Sequence, residues 1–443
     1  MPDAADTAAT APETADLDER ARELDALVFH SWSKQGTTNP FVVARGEGVR
    51  LWDHAGTEYL DFSSQLVNTN IGHAHPRVVE AIQRQAAELA TVAPATTSLV
   101  RGQAAERILG RIDGFEKVFF TNGGAEAVEN AIRMARIHTG RRKILSHYRS
   151  YHGGTLAAIN ATGDQRRLAN EFATDHVHCF GPFLYRSEFW AETEEQERER
   201  ALQHALRVIE AEGPETFAAI LVEAVPGTAG ILVPPPGYLQ GLRELADEHG
   251  ILLIVDEVMA GFGRTGQWFA HQHDGVRPDL VTFAKGVNSG YVPVGGVIVP
   301  APIVDTFRER TFPGGLTYSG HPLAAASIVA TIDAMADEGI VEHAAHLGND
   351  VLGPGLAALA DEHPIIGEVR GRGAFWALDL VADRDTREPV AASVVAGLKS
   401  ALLERGYVPF TAENRIHVVP PLVMSDDDAR AGLAILDEVL STA

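Results

Sequence analysis

The sequence is short of cysteine, of positive charge and of long apolar runs, and each shortage excludes something. One cysteine, Cys179, in 443 residues leaves no partner for an intrachain disulfide and suits a reducing compartment. Lys and Arg number 37 against 60 Asp and Glu, a formal net charge of -23, so nucleic acid, whose phosphates need clustered cations, is not an expected partner. No stretch approaches the ~20 apolar residues of a membrane span, so no membrane partner is expected either. Met1 to Asp16 has neither the basic start nor the apolar segment of a signal peptide, and the expected location is cytoplasmic. Metal spacing is thin as well. His73 with His75, and His271 with His273, lack a third ligand at zinc-site spacing, so no metal is expected.

What remains is an ordinary globular composition, 45% hydrophobic and 22% charged, long enough for one large core and a smaller appended domain. Residues 1–16 read as a disordered tail rich in Ala, Thr, Asp, Glu and Pro. Residues 17–75 hold an amphipathic helix from Leu17 to Phe29, then short strand-like runs at Phe41-Val42-Val43, Val49 to Trp52 and Tyr59 to Phe62. Across residues 76–326 strands alternate with helices, which argues for an α/β architecture with a largely parallel sheet. Residues 327–443 read as a smaller α+β domain, which segment 17–75 joins because neither alone has enough strands for a core.

Two runs organise the large domain: Ile251-Leu252-Leu253-Ile254-Val255 and Leu280-Val281-Thr282-Phe283-Ala284. Five apolar or β-branched residues without alternation suit strands covered on both faces. The first stops at Asp256, the second at Lys285. A lone aspartate there is commonly a cap and a lone lysine a surface residue. Ligands of open α/β sheets bind outside the carboxyl ends of the strands, however, so both groups would share one crevice. The pair fits pyridoxal phosphate, whose aldehyde needs a lysine for its Schiff base and whose ring nitrogen needs an acid partner.

Further strand exits add to it. Thr121-Asn122-Gly123-Gly124-Ala125 is a glycine turn between the strand Val118-Phe119-Phe120 and a helix from Glu126, an arrangement that binds anions at backbone amides. Ala219 to Val222 ends at Glu223, and Ser146 to Tyr148 leads to Tyr151-His152-Gly153, an aromatic able to stack on a planar ring. Gly261 to Gly266 matches G-x-G-x-x-G, but four residues separate it from Asp256 and no clear amphipathic helix follows, so a nicotinamide dinucleotide is not expected.

Together with Thr317-Tyr318-Ser319-Gly320-His321-Pro322 and Phe283-Ala284-Lys285-Gly286, these pieces resemble the class III, or omega, aminotransferases of the fold-type I pyridoxal phosphate enzymes, over essentially Phe29 to Leu436. The resemblance implies that Lys285 carries the cofactor and shuttles the proton, that Asp256 holds the ring nitrogen protonated, and that Val258 packs opposite Tyr151. Gly123, Gly124 and Ala125 would cup the phosphate with Thr317 of a partner subunit, so a homodimer or a dimer of dimers is expected. His152, Glu223 and Met259 complete the expected cofactor set. Phe410 stands where many relatives have a mobile arginine, Arg415 and His417 are candidates for an anionic substrate group, and Trp32 for the pocket lining. Arg415 paired with Glu413, and Trp32 as domain packing, are the plainer alternatives. The likeness is strongest to taurine-type members, which implies an omega-amino acid or taurine donor, pyruvate or 2-oxoglutarate as acceptor and ping-pong turnover. Racemases, mutases and decarboxylases on the same framework are the alternative, and a cofactor-free binding protein is the rival from another class.

Overall fold

The computed structural model describes residues 14–37, 40–170 and 173–442. Of the tail expected over residues 1–16, residues 1–13 lie outside the described residues, and a helix already begins at Thr14 and runs to Asp25. Three short strands follow, β1 (Arg45–Glu47), β2 (Arg50–Trp52) and β3 (Glu58–Asp61), paired antiparallel in that order. Phe41-Val42-Val43 is not the strand expected. Pairing starts one residue later, where the Ala44 N–H donates to the Trp52 carbonyl at 2.7 Å, and the Phe41 ring instead packs edge-on against Tyr59, centroids 4.6 Å apart.

The central sheet has seven strands: β4 (Lys117–Thr121), β5 (Lys143–His147), β6 (His176–Cys179), β7 (Phe217–Glu223), β8 (Leu252–Asp256), β9 (Leu280–Phe283) and β10 (Gly295–Val299). Their order across the sheet is β4-β10-β9-β8-β7-β5-β6, parallel except for β10, which runs antiparallel to both neighbours. Strand β7 is buried at all seven positions and β9 at all four, as unalternating apolar runs require when helices cover both faces. Adjacent strand ends coincide: Glu223 pairs with Asp256 across β7 and β8, and Asp256 with Thr282 across β8 and β9.

Beyond the helix Pro322–Asp337, which runs unbroken across residue 326, lie β11 (Ile366–Arg372), β12 (Phe375–Asp383), β13 (Glu388–Pro389), β14 (Tyr407–Val408), β15 (Phe410–Ala412) and β16 (Arg415–Val418). Strands β11, β12, β16 and β15 form an antiparallel sheet with β13 on its edge, while β14 pairs in parallel with β3. Phe62 stacks on Tyr407 at 4.3 Å, both fully buried, so early and late chain share one core.

The four histidines at metal-like spacing each meet a protein partner: His73 lies 2.9 Å from Asp61, His75 3.3 Å from Glu338, His271 2.8 Å from Glu257 and His273 3.1 Å from the Thr265 carbonyl. After Gly261–Gly266 comes a turn and then only a short 3₁₀ segment, Ala270–Asp274. Among the described residues no helix is long and apolar enough to cross a membrane.

Gly163 packs against backbone beside the site, because a methyl there would fall on the His147 carbonyl and within 2.5 Å of Tyr148 Cα. Backbone cannot yield as a flexible side chain can. Gly163→Ala should therefore lower stability by at least about 2 kcal/mol, read as a lower midpoint in denaturant unfolding.

Candidate active site

The coincident strand ends open into one cavity of about 1130 Å³. Lys285, Asp256, Glu223, Tyr151 and His152 line it together. Asp256 Oδ1 accepts from the Val258 N–H at 3.1 Å and the Thr282 hydroxyl at 3.0 Å, and Oδ2 lies 2.7 Å from His152 Nδ1. His152 thus reaches the site mainly as the buttress of Asp256. Burial disfavours its charged ring, yet the hydrogen bond to Asp256 and that carboxylate's charge raise its pKa above the ordinary histidine value. Glu223 is fixed by two amides, with Tyr151 N–H at 3.1 Å and Gly227 N–H at 2.9 Å. Burial pushes Glu223 up from the usual carboxyl range.

Lys285 follows β9 at a left-handed φ of 47°, a backbone position that costs on the order of 1–3 kcal/mol and that marks many functional residues. Burial pushes its amine down to about 8, against the opposing pull of Glu223 and Asp256 and with help from Arg166 and Arg264.

On another wall the helix Gly124–Thr139 begins, and Gly123, Gly124 and Ala125 line the cavity there. First-turn N–H groups of a helix have no carbonyl of their own helix to bind. Gly124 has no room for a side chain, since a Cβ would lie 2.8 Å from Val258 Cγ1, and Gly153, at φ 133°, similarly accommodates Ala125. Val258 and Met259 also line the cavity.

The expected substrate residues divide. Trp32, Phe410 and Arg415 line the cavity. Trp32 stands at the mouth, two-thirds exposed (67%), its ring 6.5 Å from Tyr151 and edge-on, so it is not buried as domain packing. Arg415 is paired with Glu413 at 2.7 Å, the plainer reading of that residue, and burial lowers its pKa. His417 does not qualify as an anion contact: it is fully buried behind Phe410, and burial pushes its ring down to about 3, leaving it neutral. Thr317 is exposed and lies outside the cavity of its own chain.

Comparison with known proteins gives the family. The aminotransferase class-III family model matches residues 32–440. The chain belongs to the class III aminotransferases. Taurine–pyruvate aminotransferase of Bilophila wadsworthia is 32% identical over 439 residues, covering 94% of this chain and 95% of that protein. A 5-aminovalerate aminotransferase of Pseudomonas aeruginosa is 35% identical, covering 91% and 94%. Among solved structures, taurine:2-oxoglutarate aminotransferase of Bifidobacterium kashiwanohense, in complex with pyridoxal phosphate and glutamate, superposes with a TM-score of 0.93 at 40% identity, covering 96% of this chain and 97% of that one.

Pyridoxal phosphate is the cofactor of this aminotransferase, and the residues present fit it. An amine of lowered pKa, a buried carboxylate, a helix N-terminus beside a glycine too crowded for a side chain, and an aromatic wall meet in a single chamber. Two contributors escaped sequence reasoning. Thr282, inside a strand run, gives its hydroxyl to Asp256; only its hydroxyl within an apolar run hinted at this. Arg166, from the loop after Gly163, holds its guanidinium 3.6 Å from the centre of the Tyr151 ring. No periodicity marks a loop arginine, so the sequence carried no signal for it.

An amine reacts only when neutral, so Lys285 of the cofactor-free protein should become half-reactive near pH 8 rather than near the ordinary lysine value of 10.5. Trace labelling with acetic anhydride across pH, read by mass spectrometry at residue 285, measures this; a midpoint in the ordinary range would contradict it.

Proposed function

We propose that the enzyme takes its amino group from a short omega-amino acid with an anionic end, taurine or a close analogue, and passes it to pyruvate or 2-oxoglutarate, with Arg166 reading the anion. The carrying observation is the place of that guanidinium: inside the chamber, over Tyr151, and close enough for its charge to depress the Lys285 amine. Asp164 holds Arg166 by its Nε, at 3.1 and 3.0 Å, and by Nη2, while among the described residues Nη1 donates to nothing. Only two carbons separate the amine of taurine from its sulfonate. A donor that short needs its cation near Lys285, which favours Arg166, whose charge reaches the Lys285 amine, over Arg415. Relatives named for taurine, with pyruvate or with 2-oxoglutarate as partner, support the substrate class.

The chemistry follows from the same groups. Bound pyridoxal phosphate supplies an electrophilic carbon for the donor nitrogen and a ring that takes up electron density. Lys285 would be the group that takes the proton from the donor carbon bearing the nitrogen and later returns it, serving as base and then as acid. Its lowered pKa suits both roles near neutral pH. Asp256 would hold the ring nitrogen and favour its proton, and His152 and Thr282 keep the carboxylate aimed. Tyr151 and Val258 would bound the ring, and the first-turn amides after Gly123 would receive the phosphate. The second half-reaction reverses these steps with the oxo acid, which gives ping-pong kinetics.

Thr317, exposed beside exposed Tyr318, would complete the phosphate cup of a second copy, so the active unit in this reading is a homodimer. A reducing cytoplasm suits its lone buried cysteine.

Steady-state assays with taurine, β-alanine, 4-aminobutyrate and an uncharged arylamine, against both acceptors, should show turnover of an acidic amine that depends on added oxo acid. Arg166→Ala should raise KM for taurine roughly tenfold to a hundredfold, the worth of a hydrogen bond to a charged group, and change that for the arylamine far less. Equal effects on both donors would remove Arg166 from the role, and no turnover of any acidic amine would end the reading. Sedimentation should find two chains per particle or a multiple of two; a fully active single chain would refute the shared site.

A further inference from the structure

The loop that follows Asp256 contains an arginine the reaction does not use. Arg264 is fully buried, one of the largest side chains with no exposed surface. Its Nη1 donates to the Ala374 carbonyl at 3.0 Å and the Pro420 carbonyl at 2.5 Å, and its Nη2 to Ser64 Oγ at 3.2 Å and Asn70 Oδ1 at 2.9 Å. Nε has no partner among the described residues. One guanidinium therefore joins the loop after β8, the segment after β3 and the one end of the late sheet where β12 starts and β16 stops. Burial is expensive for this cation and lowers its pKa to about 9, with Asp61 opposing.

The segment it grips is strained. Ser64, Gln65 and Val67 have φ of 42°, 61° and 59°, and a positive φ is especially costly for a β-branched valine. Surrounding contacts must hold such a run in place. Asp61 accepts from Ser63 Oγ at 2.6 Å and Gln65 Nε2 at 2.9 Å, while Ser64 Oγ, besides accepting from Arg264, donates to the Val419 carbonyl at 2.6 Å. Leu66 and Asn68, within and just beyond the strained run, line the cavity.

The segment also backs the lysine turn. The Ile71 N–H donates to Ser289 Oγ at 3.1 Å. Asn70 Nδ2, whose carboxamide oxygen Arg264 holds, donates to the Phe262 carbonyl at 2.7 Å. The same amide sits where a side chain on Gly286 would have to go, and Gly290 leaves space for Asn68 in the same way.

We propose that Arg264 is a positioning residue for transamination: it clasps the strained Ser64–Val67 segment and so fixes both the Leu66 and Asn68 wall of the substrate cavity and the backing of the Lys285 turn. This rests on the aminotransferase reading for its consequence and on the clasp alone for its structure, and the two can be measured apart. A flat fork of donors is needed to reach four acceptors from three parts of the chain, so lysine keeps the charge but loses the geometry.

The test compares wild type, Arg264→Lys, Arg264→Met and Ser64→Ala holoenzymes. Hydrogen exchange followed by mass spectrometry should become roughly tenfold faster in peptides spanning residues 62–72 and 418–423 of Arg264→Met, as expected when hydrogen bonds to a charged group are lost, and stay unchanged in β7 and β8. KM for the amine donor should rise by a similar factor, with kcat reduced less. Arg264→Lys should restore only part of both, and Ser64→Ala, which removes one acceptor without emptying the core, should give the same local pattern in smaller size. If Arg264→Met does not fold, Ser64→Ala decides. Unchanged exchange at 62–72, or faster exchange spread evenly over the chain with KM unaltered, would overturn the proposal. An enzyme that shows the local exchange change but transfers no amino group would leave the clasp standing and remove the reaction.

Discussion

Three neighbouring strands stop in the same row, and the chamber depends on that register. Glu223, Asp256 and Thr282 sit side by side because β7, β8 and β9 pair in parallel with no slip at their ends. A one-residue shift would turn alternate side chains to the other face and bury them in the helix layer. The register is held by the apolar runs themselves, which are covered on both sides and cannot slide without exposing or crowding large residues. A polar group at such a strand end is born half-desolvated. That is why one lysine beyond β9 has a depressed pKa and one acid beyond β7 a raised one.

Desolvated groups must be satisfied or they destabilise the fold, and the site uses its neighbours for this. Asp256 has a backbone amide, a hydroxyl and an imidazole, and Glu223 has two backbone amides. The donors come from β9 and from the segments after β5, β7 and β8, with Tyr151 and His152 sharing the one after β5, so satisfying the carboxylates also ties these strand ends together. Strain is tolerated in the same places. The left-handed Lys285 lines the cavity, and the left-handed Ser64, Gln65 and Val67 flank Leu66, which lines it too; there the packing of early and late chain segments against the large sheet over-determines the backbone.

Cationic side chains around the chamber illustrate how context assigns work to identical residue types. Arg166 stacks on an aromatic ring while paired with Asp164, Arg415 is paired with Glu413, and Arg264 donates to four oxygens in the core. His417 belongs to the same series: a basic residue near the right strand, silenced by complete burial.

Much of this was legible in the residues alone. Unalternating apolar runs ending in Asp256 and Lys285 announced a parallel sheet and a shared crevice, and the glycine turn at Gly123 announced a helix N-terminus, because strand periodicity and turn chemistry are local properties. The family, its cofactor and the α/β fold followed from those stretches. Local pattern misled at Phe41 to Val43, where a ring contact with Tyr59 outweighed strand propensity, and at His417, whose neutrality comes from residues far away in sequence. It was silent on Arg166, Thr282 and Arg264. What a loop arginine or a strand hydroxyl does is set by which distant atoms surround it, and hydrogen-bond partners, burial and ring stacking exist only once the strands are stacked and the chain ends have met. By itself, then, the sequence determined where the strands end and with which side chains; only the tertiary structure decided which of the remaining polar groups face the cavity and which hold it in shape, because that choice is made by desolvation and by contacts between segments hundreds of residues apart.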